Sequence, residues 1–308
     1  MQFFGTNDVL DYMMAYLPLV PLMTFGQVNQ DLRYEVQAYS RRRVLRYTQP
    51  FFETTLARTT FFHVLEDQGA WIVGAVALAV LSFACNPVGP GAMNIITPFG
   101  SESEWVSIMS RALGFNMVIY TRTAGDLMTL GHRYFVFTHP KIKSKIITVT
   151  TTRRGRFFEL FLRAPVTLMG NAITAHEMVS TYVDLTTNYE GVYGFTYAFT
   201  RPIMPIGFVG PMGTTTARPK RLPVSPFPSD ITLAASTRTL NRPCGTACPA
   251  IPRISTNLAG IGHWKWGGVN MLEWEEDENL KRFAKTDIQY RTGVICRNIH
   301  CPEFCDYE

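Results

Sequence analysis

The chain has little charge and few cysteines for its size. Only 17% of its 308 residues are charged, whereas 46% are hydrophobic and 13% are aromatic. This composition excludes a largely disordered chain, and six cysteines are too few for a small disulfide-stapled protein. The formal net charge of +5 is small for a dedicated nucleic-acid-binding protein of this length. We therefore expect a folded, aromatic-rich protein.

Signals for membranes or secretion are also scarce. The most apolar stretch, residues 70–85, has 16 residues, which is short of the roughly 20 that a bilayer span needs. The first twenty residues contain Asp8 and Asp11 and no basic segment, unlike a secretory signal. The sequence predicts a buried helix over 70–83 and an intracellular protein, cytoplasmic or nuclear, with no membrane partner.

Composition changes divide the chain into three parts. Residues 1–48 predict a small all-helical module, and residues 49–200 alternate between helical and strand patterns. Residues 201–308 form a connector and a cysteine-rich extension, with eight prolines between positions 201 and 243. The predicted fold class is α+β, in which the helical module precedes a mixed-sheet domain.

Periodicity and β-propensity locate the elements of the middle part. Helices are predicted at Phe51–Leu65, Ala70–Phe83, Glu102–Leu113 and Thr174–Asp184. Strands are predicted at Ala92–Thr97, Phe115–Thr121, Tyr134–Thr138, Lys145–Thr152 and Phe157–Leu162.

The N-terminal part resembles an F-box. A helix with apolar residues at i, i+3, i+4 and i+7 is followed by Leu17-Pro18, then Leu22, then Val28-Asn29-x-x-Leu32. The resemblance implies docking on a Skp-type adaptor of a cullin ubiquitin ligase. The implied anchors are Leu10, Met13, Met14, Leu17, Pro18, Leu22, Val28 and Leu32. The alternative is an ordinary helical hairpin that packs on the main domain.

Residues 51–197 resemble the nucleotidyltransferase fold. The family has a glycine-small pair at a helix start, then Asp-x-Asp on a strand, then a third carboxylate on a later strand. The comparable positions here are Gly74-Ala75, Ala92-Met93-Asn94 and Glu159. Joined to the F-box-like start, this pattern resembles a group of uncharacterised fungal proteins with a degenerate nucleotidyltransferase-like domain.

The residues at these positions are unsuited to the family's chemistry. Nucleotidyl transfer uses two divalent cations held by carboxylates, and Ala92 and Asn94 supply none. HExxH, GxSxG and P-loop motifs are also missing from the sequence. The sequence predicts a pseudoenzyme without catalytic residues or a catalytic cofactor. Its vestigial nucleotide site would comprise Gly74, Ala75, Ala92, Asn94 and Glu159.

Cysteines near the C-terminus suggest a structural zinc ion. Zinc takes four nitrogen or sulfur ligands, and the preferred set is Cys244, Cys248, Cys296 and Cys301. Either His300 or Cys305 could replace one of them. The alternative is a group of reduced thiols that pack near one another.

These observations favour a non-catalytic interaction protein, a substrate receptor of a Skp-cullin-type ubiquitin ligase with a pseudo-nucleotidyltransferase recognition domain. One alternative is a nucleotide- or RNA-handling transferase, and another is a zinc-stabilised nucleic-acid-binding protein. Basic clusters at 41–46, 141–156 and 218–221 are separated by apolar and acidic stretches. They are more typical of a solvated surface, so nucleic acid is not the expected partner.

Overall fold

The structure is a computed structural model of the chain. It describes residues 7–17, 19–81, 90–122, 131–162, 167–187, 190–192, 196–200, 232–234, 248, 253–254, 262–266, 288–292 and 298–300. Within these ranges, no helix is both long enough and apolar enough to cross a bilayer.

Four helices form the N-terminal third: α1 (Asn7–Tyr16), α2 (Leu19–Phe25), α3 (Gln30–Thr48) and α4 (Thr55–Asp67). Helices α3 and α4 have side-chain N-caps. At the start of α3, Asn29 Oδ1 accepts a hydrogen bond from Leu32 N at 2.8 Å. Thr54 Oγ1 likewise accepts one from Ala57 N at 3.0 Å. Such caps satisfy backbone donors that a helix start leaves unpaired, and they fix where α3 and α4 begin.

A mixed eight-stranded sheet is the centre of the fold. Its strands are β1 (Trp71–Val73), β2 (Ala92–Thr97), β3 (Asn116–Arg122), β4 (Gly131–His139), β5 (Ile142–Thr152), β6 (Asn171–Ile173), β7 (Glu177–Ser180) and β12 (Gly262–Lys265). Their order in the sheet is β12-β7-β6-β1-β2-β5-β4-β3. Strands β2 and β5 are parallel, and the other neighbours are antiparallel.

Shorter elements complete the described architecture. The helices α5 (Ala75–Leu81), α6 (Glu102–Ser107), α7 (Phe157–Leu162) and α8 (Val183–Thr187) connect the sheet strands. Strands β8 (Glu190–Val192) and β10 (Thr232–Ala234) pair in parallel. Strands β9 (Thr196–Thr200), β11 (Arg253–Ile254) and β13 (Ile288–Thr292) form a three-stranded antiparallel sheet.

The two faces of the large sheet are buried differently. Successive strand residues point to opposite faces, so Met93 and Ile95 lie on one face of β2 and Asn94 on the other. Met93 and Ile95 belong to a core cluster that includes Phe61 and Trp105 from the helices. On the opposite face, the ring of Trp71 is surrounded by aromatic side chains of α7, with centroids 4.9 Å from Phe157, 5.8 Å from Phe158 and 5.1 Å from Phe161.

The N-terminal helices share the core of the sheet. Leu10 of α1, Leu22 of α2 and Val44 of α3 are buried in the same cluster as Met93 and Ile95. Their burial contributes roughly 1.5–3 kcal/mol for each side chain. These helices are therefore held to the rest of the protein by apolar packing, whatever else they bind.

The α+β class and the mixed sheet are confirmed. Strands occur where the sequence predicted them near residues 92, 115, 134 and 145. The helix predicted at Glu102–Leu113 is α6, which continues as a π-helical turn over Ile108–Ala112. Gly114 follows with φ of +72°, a conformation that glycine adopts without strain, and this ends the helix.

Three predicted elements differ from the structure. The helix predicted at 70–83 is confirmed only over α5, because residues 71–73 form β1 and Gly74, with φ of +71°, turns the chain between the two elements. Phe157–Leu162 was predicted as a strand and is helix α7, in which five of six side chains are buried. Thr174–Asp184 was predicted as a helix but contains β7 and the start of α8. In the first two of these segments, apolar residues occur at nearly every position, so periodicity does not distinguish helix from strand.

Candidate functional site

Three of the five predicted nucleotide positions, Gly74, Ala75 and Asn94, lie where β1 ends. Gly74 and Ala75 follow β1 directly, and Asn94 of β2 is the register partner of Val73. A Cβ atom placed on Gly74 would lie 3.0 Å from Asn94 Nδ2. The structure thus brings Gly74 and Asn94 together, and a side chain at position 74 would have to displace Asn94.

A row of polar side chains extends from this point across the sheet. Thr148 of β5 is the register partner of Asn94, and its Oγ1 donates a hydrogen bond to Asn94 Oδ1 at 2.8 Å. Tyr134 of β4 is hydrogen-bonded to Thr148. We call Asn94, Thr148 and Tyr134 the polar row.

The polar row consists of neutral groups. Burial raises the pKa of the Tyr134 phenol above its usual value, while its hydrogen bond with Thr148 acts in the opposite direction. The phenol is consequently protonated at neutral pH. Hard cations such as Mg²⁺ prefer carboxylate oxygens, and the three members of the row offer amide and hydroxyl oxygens only. The row is therefore poorly suited to hold the two cations of nucleotidyl transfer.

Sequence reasoning did not identify Thr148 or Tyr134 as neighbours of Asn94. Both lie in strands that the sequence located correctly. Their proximity depends on the parallel pairing of β2 with β5 and on the register of β4 against β5. Parallel pairing joins segments that are distant along the chain, and local patterns carry no signal for its register.

Glu159 lies on a helix rather than on a strand. It belongs to α7, and Arg156 Nη1 donates a hydrogen bond to Glu159 Oε1. The prediction of a third carboxylate on a later strand is therefore wrong in its secondary structure. An (i, i+3) ion pair explains this glutamate as part of the first helical turn.

The most deeply buried carboxylate of the described chain lies elsewhere in the sheet. Glu177 of β7 is 1% exposed, and its Oε1 is 3.1 Å from His263 Nε2 on the neighbouring strand β12. The adjacent residue His176 contacts Glu66 Oε1 through its Nε2 at 2.7 Å. Among the residues described, no group of three His, Cys, Asp or Glu side chains is arranged to hold a metal ion.

The anchors implied by the F-box resemblance separate into two groups. Leu10, Met14 and Leu22 are at most 5% exposed and pack inside the protein. Leu17 and Leu32 are partly buried against the same core cluster. These five side chains stabilise the protein's own fold in this conformation. Met13 and Val28 form the exposed group, and Pro18 lies outside the described residues.

Large apolar side chains are exposed on α1, on and just before α3, and on α4, and those that coincide with the implied anchors lie on α1 and before α3. On α1, Val9 is 53% exposed and Met13 is 45% exposed. These two residues are four positions apart and share one side of the helix. Val28, immediately before the N-cap Asn29, is 70% exposed.

Of the four predicted zinc ligands, only Cys248 is described by the structure. Its side chain is fully buried and is not in a disulfide. Cys244, Cys296 and Cys301 lie outside the described residues, as does Cys305, so the zinc site stays a prediction. His300 is exposed, and its backbone N–H donates a hydrogen bond to Asn298 Oδ1 at 2.9 Å.

Several basic side chains of the predicted clusters contact acidic or carbonyl oxygens. Lys141 Nζ is 2.6 Å from Glu53 Oε1, and Lys145 Nζ donates a hydrogen bond to Pro90 O at 2.8 Å. Arg42 forms an ion pair with Asp11. The two ion pairs reduce the charge that these clusters would offer to a polyanion.

No family model, curated protein or solved structure matches this chain in the three comparisons made.

Proposed function

We propose that the protein is a non-catalytic interaction protein, a substrate receptor that docks on a Skp-type adaptor through its N-terminal helices. The observation that carries the proposal is the exposure of Met13 and Val28, two of the eight anchors that the F-box resemblance implies. Met13 shares one side of α1 with exposed Val9, and an apolar helix face of this kind is typical of helix-in-groove docking.

The polar row supports the non-catalytic part of the proposal. Asn94 occupies the position that resembles a metal-binding aspartate. Its side-chain oxygen accepts a hydrogen bond from Thr148 Oγ1. Its amide nitrogen lies against Gly74, where a phosphate-contacting loop would need space. Both contacts serve packing between β1, β2 and β5. We infer that this part of the sheet is a scaffold for recognition of a protein target.

Point variants test adaptor docking more cleanly than truncation does. Removal of residues 1–48 would also remove Leu10, Leu22 and Val44 from the shared core, and the remainder would be destabilised for that reason alone. Full-length chains carrying Met13→Glu or Val28→Glu change exposed positions instead. Leu56→Glu is the matched control, because Leu56 on α4 is 75% exposed and is not one of the anchors.

The experiment is co-expression with the adaptor, followed by size-exclusion chromatography. We expect the unchanged chain and Leu56→Glu to co-elute with the adaptor, and Met13→Glu and Val28→Glu to elute alone. If the unchanged chain elutes alone, or if all variants co-elute equally, adaptor docking through these residues is refuted.

The second candidate, a nucleotide- or RNA-handling transferase, is favoured by the position of Gly74 and Ala75 at the start of α5, where the nucleotidyltransferase fold has its glycine-small pair. It requires a divalent cation, whereas the receptor does not. Thermal unfolding with a nucleoside triphosphate, with and without Mg²⁺, separates the two candidates. Stabilisation that depends on Mg²⁺ supports the transferase, and unchanged unfolding supports the receptor.

A further inference from the structure

A buried carboxylate of the large sheet has no hydrogen-bond donor. Glu177 of β7 is 1% exposed, and neither of its carboxylate oxygens has a hydrogen-bond partner among the described residues. The backbone N–H of Glu177 donates to Thr174 Oγ1 at 2.9 Å, but this hydroxyl makes no hydrogen bond with the carboxylate. Because a buried carboxylate is strongly unfavourable when nothing compensates its charge, this group requires an explanation, such as a bound ion.

The imidazole of His263 lies beside this carboxylate. Strand β12 pairs antiparallel with β7, and the register partner of His263 is Val179. Glu177 is two residues from Val179, so it shares one face of the sheet with His263. His263 Nε2 is 3.1 Å from Glu177 Oε1, yet this oxygen accepts no hydrogen bond. The ring nitrogen and the oxygen are therefore close together without an N–H directed at the oxygen.

We propose that Glu177 Oε1 and His263 Nε2 are ligands of a zinc ion, at a site separate from the predicted cysteine site. Zinc binds carboxylate oxygens and imidazole nitrogens at about 2.0–2.2 Å, so two such ligands of a tetrahedral ion lie about 3.3 Å apart. The distance of 3.1 Å between the two atoms is close to this value. The side chain of His263 is 33% exposed, so the ion enters from that side and water completes its coordination.

Zinc compensates the buried carboxylate better than the neighbouring basic side chains do. Lys265 is the register partner of Glu177, but within the described residues Glu177 forms its ion-pair contact with His263 and none with Lys265. Without a directed N–H, an imidazolium ring supplies one charge, whereas Zn²⁺ supplies two charges and a direct bond to the oxygen. The charge of Lys265 opposes a cation, so we expect weaker binding than at a four-ligand structural site.

An adjacent pair of the same residue types provides the matched control. His176 Nε2 and Glu66 Oε1 are joined by a hydrogen bond of 2.7 Å, and the side chain of Glu66 is 42% exposed. This hydrogen bond occupies the two atoms that would otherwise bind a metal. Glu66→Gln should therefore leave zinc binding unchanged, whereas Glu177→Gln should remove it. Glu177→Gln keeps the shape of the side chain and removes a buried charge, so the variant should fold.

Equilibrium dialysis of the full chain against Zn²⁺, after a chelator has removed bound metal, tests the proposal. We expect the unchanged chain and Glu66→Gln to bind one more zinc ion per chain than Glu177→Gln and His263→Gln. The comparison is a difference between proteins, so any zinc held by the cysteines contributes equally to all four. Equal zinc contents of the unchanged chain and Glu177→Gln overturn the proposal.

Thermal unfolding of the same metal-free proteins gives a second, independent measurement. A ligand that binds the folded state raises the melting temperature. Added Zn²⁺ should therefore raise the melting temperature of the unchanged chain and of Glu66→Gln by more than that of Glu177→Gln. An equal rise in the unchanged chain and in Glu177→Gln overturns zinc binding at Glu177 and leaves the carboxylate as a buried charge paired with His263 alone.

Discussion

Gly74 and Asn94 are in contact across the junction between β1 and β2, where a Cβ on the glycine would lie 3.0 Å from Asn94 Nδ2. The glycine has φ of +71°, which most other residues adopt only with strain. Position 74 is therefore restricted to glycine both by its backbone conformation and by its neighbour.

The contact predicts a specific cost for Gly74→Ala. Gly155→Ala is the matched control, because Gly155 has φ of +74° and a Cβ there would meet nothing within 4 Å. Both variants incur the backbone strain, and only Gly74→Ala displaces Asn94, at an added cost of about 1 kcal/mol in the free energy of unfolding. Urea denaturation measures the difference. When Asn94 is also changed to alanine, Gly74→Ala and Gly155→Ala should lower the free energy of unfolding equally. If Gly74→Ala still costs more, the contact with Asn94 is not the cause of the difference.

Carboxylates placed on β2 should create affinity for a divalent cation. Ala92 and Asn94 lie on the same face of β2, two residues apart. We expect Ala92→Asp/Asn94→Asp to show a Mg²⁺-dependent rise in melting temperature, and the unchanged chain to show none. Equal responses of the two proteins to Mg²⁺ would contradict the interpretation that these two positions are placed to hold a cation.

The raised pKa of Tyr134 predicts a loss of stability at alkaline pH. Burial raises the folded-state pKa of the phenol above 10.0, so the folded protein holds this proton more tightly than the unfolded chain does. The phenol's contribution to the free energy of unfolding is complete at pH values below the pKa of the unfolded chain. It is lost as pH rises through the pKa of the folded protein. Stability measured from pH 8 to 11 should therefore fall less steeply in Tyr134→Phe. A parallel fall in both proteins would exclude this tyrosine as a source of the pH dependence.

The aromatic cluster around Trp71 predicts the cost of removing a ring from α7. Phe161 is 3% exposed and packs 5.1 Å from Trp71, so Phe161→Ala should lower the free energy of unfolding by about 3–5 kcal/mol. Phe99→Ala removes a ring that is 51% exposed and should cost less than about 1 kcal/mol. Similar costs for the two variants would mean that α7 does not pack on Trp71 in solution.

Local patterns predicted four of the eight strands of the large sheet but not the order in which the strands pair. The strands at 92, 134 and 145 were identified because β-branched and aromatic residues are concentrated there. Helix α7 was missed because its aromatic residues also favour strands, and their burial around Trp71 outweighs that propensity.

Only part of the candidate site was predicted, because local sequence patterns do not show which strands pair. Gly74 and Asn94 could be paired from a motif that is local in sequence. Thr148 and Tyr134 become their neighbours only through the register of β5 and β4. The sequence also did not show which aliphatic side chains of α1 face the core, because both the exposed and the buried positions of this helix are apolar. Tertiary packing selects Leu10 and Met14 for the interior.

The affinity of the full-length chain for a purified Skp-type adaptor shows whether the N-terminal helices form a docking surface. We expect measurable binding that Val28→Glu weakens at least tenfold, or about 1.4 kcal/mol, while Leu56→Glu leaves it unchanged. Both positions are exposed, so neither change should alter the melting temperature appreciably. Absence of binding by the unchanged chain, or equal binding by all three proteins, would refute docking on the adaptor through these helices.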